Sequence, residues 1–158
     1  MRITALSALL ITLLSGAAIT QAAPEQEAPY TRAIAKLASF LSDNEPVGAL
    51  EAFDKAMPRY GAIAEAIQGL IAQSEILCSI DVVEDKEADK VDADVHHLDL
   101  DWYMTLKSRG DESQVQSRRL RVAVTLQRTQ VTKGGKTTPV WRITSLTPEK
   151  IFAPMTLK

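Results

Sequence analysis

The amino-acid sequence predicts an α+β domain, with N-terminal helices packed on a curved four-stranded antiparallel sheet. Two observations predict it. Apolar residues recur with the helical period, about 3.6, as far as Ser74, and then alternate residue by residue from Ile76 onward. Helices therefore come first and strands second. Turn signals rather than helices separate the strands, and strands joined by turns pair antiparallel.

The elements follow in order. Tyr30, Ile34, Leu37 and Leu41 form one apolar stripe, with Arg32, Lys36 and Ser39 on other faces. Ser42-Asp43-Asn44 ends that helix and offers N-caps to the next. Pro46 suits a first helical turn, where its missing N–H is no loss. Val47, Leu50, Phe53 and Met57 extend this second stripe to Pro58. Tyr60, Ile63, Ile67, Leu70 and Ser74 mark a third helix, weakened by Gly61 and Gly69.

In the first strand Ile76, Cys78, Ile80 and Val82 alternate with Leu77, Ser79, Asp81 and Val83. The charged run Glu84 to Asp94 reads as a solvated turn. The clearest strand covers 95–107: Leu98, Leu100, Trp102, Met104 and Leu106 share the inward face, and His97, Asp99, Asp101, Tyr103, Thr105 and Lys107 the outward one. A polar loop from Ser108 to Ser117 bends at Gly110-Asp111. Strand 118–130 points Leu120, Val122, Val124 and Leu126 inward, and Arg119, Arg121, Ala123, Thr125 and Gln127 outward. Lys133-Gly134-Gly135-Lys136 is a turn, since glycine accepts positive φ. The last strand covers about Val140 to Leu146, and Pro148 and Pro154 frame a tail outside any regular ladder.

Residues 1–22 have the form of a cleavable secretory signal. Arg2 supplies the positive start, Ile3 to Leu14 the apolar run, and Thr20-Gln21-Ala22 the small residues of a cleavage site. The run is too short to span a bilayer of about 30 Å. The expectation is an exported protein, periplasmic or secreted, with no membrane attachment after cleavage. Residues 23–29 read as a flexible leader and 30–158 as a single domain. The net charge of −2 argues against nucleic acid as a partner. The single cysteine, Cys78, excludes an internal disulfide and reads as a buried, inert thiol.

Other motifs are weak. His96 and His97 are adjacent on a strand, so they point to opposite faces and cannot both bind one ion. Glu84, Asp85, Glu87, Asp89, Asp92 and Asp94 lack the pattern of a calcium loop, so no metal or other cofactor is expected. Arg118-Arg119-Leu120-Arg121 looks basic, but Arg119 and Arg121 face the same way as Asp99 and Asp101 and would pair with them across the strands. Gly134-Gly135-Lys136-Thr137 lacks the earlier glycine and following helix of a phosphate loop. No Gly-x-Ser-x-Gly elbow occurs.

Three features together resemble the nuclear-transport-factor-2-like superfamily, also called SnoaL-like or ketosteroid-isomerase-like. They are Tyr60, Ile63 and Ile67 on the third helix, Asp101-Trp102 on the long strand, and the ending Val140-Trp141-Arg142-Ile143-Thr144-Ser145-Leu146 followed by Phe152-Ala153-Pro154. The resemblance implies a cone-shaped, cystatin-like fold enclosing a pocket. It implies no single reaction, because such folds host enzymes, binders and scaffolds alike.

Within that frame the inward faces of the two middle strands hold no carboxylate. The leading expectation is therefore a non-catalytic protein, with no catalytic residues, that binds a small apolar ligand. Trp102 leads the pocket candidates, followed by Tyr60, Met104, Trp141, Cys78 and His96. One alternative is a homodimeric scaffold of the cell envelope, using the flat polar sheet face of Tyr103, Thr105, Ala123 and Thr125. The other is an isomerase-like or hydrolase-like enzyme with a carboxylate in its pocket.

Overall fold

A computed structural model describes residues 28–156 except residue 91. The signal segment and nearly all of the leader lie outside the described residues. Helices α1 (Pro29–Ser42), α2 (Pro46–Glu51) and α3 (Tyr60–Gln73) precede strands β1 (Ser74–Asp85), β2 (Val95–Ser108), β3 (Val115–Lys133) and β4 (Lys136–Thr147). A 3-10 turn at Glu149–Phe152 follows. The strands form one antiparallel sheet in the order β1-β2-β3-β4, and the chain is α+β as its patterning predicts. No helix among the described residues is long and apolar enough to cross a membrane.

The strand parities place the core. Leu98, Leu100, Trp102, Met104 and Leu106 of β2 are buried, as are Val122, Val124 and Leu126 of β3. Ile34, Leu37 and Leu41 of α1 and Ile63, Ile67 and Leu70 of α3 complete the same cluster. Gly134 and Gly135, at φ 58 and 76, form the β3–β4 turn, closed by Lys133 opposite Lys136. The strands run past their expected ends; Val115 and Ser117 of the anticipated loop already pair with Lys107 and Thr105.

Two bulges decide what faces inward at the sheet's ends. In β1 the register shifts between Val82 and Glu84, leaving Val83 without a partner. Residues beyond an inserted residue change face. Asp85 therefore sits opposite Leu98, on the buried side. This corrects the expectation that Glu84 to Asp94 is wholly a solvated turn, and it brings inward a carboxylate from the edge strand, outside the two middle strands whose inward faces hold none. In β4 the shift falls at Thr144, so Ile143 and Leu146, three residues apart, are both buried.

The second helix is shorter than its apolar stripe suggests. It ends at Glu51, and Phe53 forms a parallel bridge to Ile143. The Ile143 N–H donates to the Ala52 carbonyl at 2.8 Å, and the Asp54 N–H donates to the Ile143 carbonyl at 2.9 Å. Beside the bulge, the edge strand has free backbone groups, and α2's exit chain satisfies them in place of another helical turn.

The basic cluster also divides. Arg119 pairs with Asp101 diagonally, its Nε donating at 3.0 Å. Arg121 lies directly opposite Asp101 and makes no ion pair among the described residues, so one cross-strand pair forms rather than two. Arg118 is directed to the tail: its guanidinium donates to the carbonyls of Ile151 at 2.9 Å and Ala153 at 2.7 Å.

Candidate functional site

The six residues singled out from sequence do not line one pocket; they fall in three places. The first is the centre of the core. Trp102 and Met104 are 0 % exposed, so neither touches space that would hold even a water. Trp102 stacks edge-on against Phe152, with ring centroids 5.3 Å apart. Its indole Nε1–H donates to the Cys78 sulfur at 3.2 Å. Burial pushes the Cys78 thiol up to about 12, against the smaller opposing effect of that hydrogen bond. The thiol stays protonated at neutral pH and is a poor nucleophile. Trp102 and Met104 fill the interior rather than line a hollow, and the partly buried Cys78 packs against that core.

The second place is the β1–β2 hairpin end of the sheet. Here His96, 2 % exposed, lies between Tyr30 and Trp141. Tyr30 stacks on the imidazole with centroids 3.9 Å apart, and Trp141 meets it edge-on at 5.3 Å. The inward turn of Asp85 brings a carboxylate to the ring. His96 Nδ1 stands 3.1 and 3.0 Å from the two Asp85 oxygens. The Tyr30 hydroxyl donates to the same carboxylate, as does the Glu87 N–H at 2.9 Å. Burial alone would raise Asp85; the hydrogen bonds from Tyr30, Glu87 and His96 outweigh it and hold the carboxyl below its usual range. Tyr30 is pushed up to about 12, first by its bond to Asp85, then by burial and by the carboxylate charge. Glu87 takes the His97 N–H at 2.6 Å and faces the His97 ring Nδ1 at 2.9 Å. These bonds, with the His97 charge, hold Glu87 low as well.

Chemically this cluster has the parts of an acid–base site, but its polar atoms are engaged with one another. Asp85 and His96 keep only 8 % and 3 % of their side-chain surface exposed. Neither residue lines the cavities beside α2, beside β1 or along the tail.

The third place is a groove of about 320 Å³ beside α2, reached by Tyr60 alone of the six. Val47, Leu50 and Phe53 give it an apolar wall; Lys55, Arg142 and Glu51 supply its charges. Arg142 Nε is buried and has no hydrogen-bond partner among the described residues. Neither Arg142 nor Lys55 is in an ion pair among the described residues.

Sequence reasoning missed Tyr30, Asp85, Glu87 and Arg142 as site residues. A signal for Asp85 exists: Val82-Val83 places two apolar residues in succession where alternation requires one, which marks a bulge. Arg142 carries no such mark, because its burial depends on the α2 exit chain crossing β4.

No protein-family model matches the chain, and no curated protein is detectably similar to it.

Proposed function

We propose that the chain is an exported, non-catalytic binding protein that takes a small amphipathic anion, with an apolar body and a carboxylate-like head, in the α2 groove. The unpartnered Arg142 Nε carries this reading. A buried donor without an acceptor costs about 1–3 kcal/mol, and more when charged, so such groups in a folded chain call for an explanation. A ligand carboxylate supplies the acceptor. The wall of Val47, Leu50 and Phe53 suits a short hydrocarbon. Lys55 and Arg142 outnumber Glu51, which leaves the lining positive. The filled core favours this groove over a central pocket. The likeness to the nuclear-transport-factor-2-like superfamily, whose members include binders, supports the reading at the level of architecture. The N-terminal signal pattern supports export.

Titration calorimetry with octanoate tests it. A ligand of this size is expected to bind with Kd on the order of 0.1–1 mM. Octanol, which lacks the charge, and the Arg142→Gln variant are each expected to bind at least about tenfold more weakly, since hydrogen bonds to charged groups contribute about 1.5–3 kcal/mol. Octanol binding as well as octanoate, or an unchanged Kd in the variant, rules the groove out as an anion site.

A second reading, a homodimer through the outward sheet face, is favoured by exposed apolar surface there. Leu77 is 67 % and Val115 57 % exposed, flanking a hydroxyl network of Tyr103, Thr105 and Ser117. Light scattering at about 100 µM chain should then give twice the monomer mass, reverting to monomer in Leu77→Glu; interfaces of this kind place apolar residues at their centre. Monomer alone at that concentration removes the reading.

A further inference from the structure

We infer that Asp85, Glu87 and His96 form a site for a divalent transition-metal ion at the β1–β2 hairpin end of the sheet. The inference rests on different residues from the α2 groove, so either can fail without the other.

Topology supplies the donors from both sides of one hairpin. Asp85 is turned inward by the unpaired Val83, Glu87 follows in the connecting turn, and His96 lies at the start of β2. One donor atom from each lies within 4.8 Å of the others. The Asp85–His96 separation, 3.0–3.1 Å, is already close to the roughly 3.4 Å between two ligands of one tetrahedral ion with bonds of about 2.0–2.2 Å. Glu87, on the connecting turn, completes the set, its donor atom also within 4.8 Å of the other two. The imidazole must then carry its hydrogen on Nε2, freeing Nδ1 for the ion.

Two further observations point to a cation rather than to a closed polar plug. The first is charge. Asp85 and Glu87 are largely covered, at 8 % and 16 % side-chain exposure. Their only ion-pair partners among the described residues are the imidazoles of His96 and His97; no lysine or arginine reaches either carboxylate. Two covered carboxylates so close together repel one another and gain from a shared positive ion. The second is the arrangement behind the donors. The Tyr30 hydroxyl and the Glu87 N–H hold Asp85, and the His97 backbone and ring hold Glu87. Hydrogen bonds of this sort orient the carboxylates of metal sites. One imidazole with two carboxylates suits zinc, cobalt or manganese better than calcium or magnesium, which prefer oxygen alone.

The test is titration of the EDTA-treated, dialysed chain with ZnCl2, MnCl2, MgCl2 and CaCl2 by calorimetry, with CoCl2 absorbance as a report on geometry. One equivalent of zinc is expected to bind, with a rise in Tm and a visible cobalt band of tetrahedral intensity. Magnesium and calcium are expected to give neither. Glu87→Gln and His96→Gln should each weaken zinc at least about tenfold. Circular dichroism checks that each variant folds; Glu87, on the turn, is the substitution the fold tolerates best. His97→Gln should keep the one-equivalent stoichiometry. No zinc heat up to 1 mM, zinc binding unchanged in Glu87→Gln, or zinc lost only in His97→Gln, which would mean an exposed histidine alone, each overturns the proposal.

Discussion

Replacing Trp102 with alanine is expected to lower the unfolding free energy by about 3–5 kcal/mol, measured by urea denaturation followed by circular dichroism. The ring is wholly enclosed, set edge-on against Phe152, with its only hydrogen-bonding group spent on Cys78. Truncation removes a large apolar surface and leaves a cavity that Met104, Leu100 and the backbone of two long strands cannot collapse to fill. Against a typical stability of about 5–15 kcal/mol this is a large share, and Tm should fall by about 10–20 °C. Trp102→Phe keeps most of the volume and loses the N–H to sulfur contact, so it should cost less than half as much. The measurement also bears on function. If the interior is solid, the wild-type chain shows no thermal shift with indole, while Trp102→Ala, with a dry cavity of the right size, is stabilised by it. A loss under about 1 kcal/mol, or a wild type stabilised by indole, would mean the centre is roomy and would return the ligand to the middle of the fold.

That contrast shows what the sequence could and could not reveal. The buried set of β2 and β3 is legible because a strand's period is fixed by its geometry: once Leu98 faces in, Leu100 to Leu106 follow. The same rule misleads at Asp85, where one inserted residue, Val83, reverses the parity at the strand's end. Facing inward also does not say whether a residue lines a space or fills it. Trp102 and Met104 have the right direction for a pocket, but Phe152 from the tail and Phe53 from the α2 exit chain occupy the room. Phe152 comes from a segment with no regular period, and Phe53 from a helical stripe that the structure breaks off at Glu51, so their meeting is a tertiary event that no window of sequence contains. The groove at Arg142 arises in the same way, from an α2 that ends early because Ile143 has backbone groups to offer.

Asp85→Ala is expected to destabilise the metal-free chain by about 2–4 kcal/mol, because it strips a largely buried cluster of its common acceptor. The Tyr30 hydroxyl, the His96 Nδ1–H and the Glu87 N–H all converge on that carboxylate. Two opposing effects set the size. Removing a covered charge relieves its desolvation, which is favourable. Leaving donors without acceptors costs about 1–3 kcal/mol each, and here the second effect wins because Tyr30 and His96 are stacked on one another and cannot both swing out to water. Asp85→Asn retains an acceptor oxygen, and His96 can accept from its amide after changing tautomer, so this variant should lose about 1 kcal/mol. A double-mutant cycle with His96→Ala should return a coupling of about 1–3 kcal/mol. The pH dependence has a definite sign. The folded carboxyl is held below its unfolded value, so its contribution is complete above the unfolded pKa, about 3.9, and disappears as pH falls through the folded one. Tyr30 is held above its own, so stability declines as pH rises from 10.0 toward about 12. Asp85→Ala should remove the acid limb and reduce the alkaline one, since the contact with Asp85 is the largest cause of the Tyr30 shift and burial supplies the rest. If the variant is as stable as wild type at pH 7 and keeps the alkaline limb in full, the cluster does not hold α1 to the sheet, and the stacking of Tyr30 and Trp141 on His96 must do so alone.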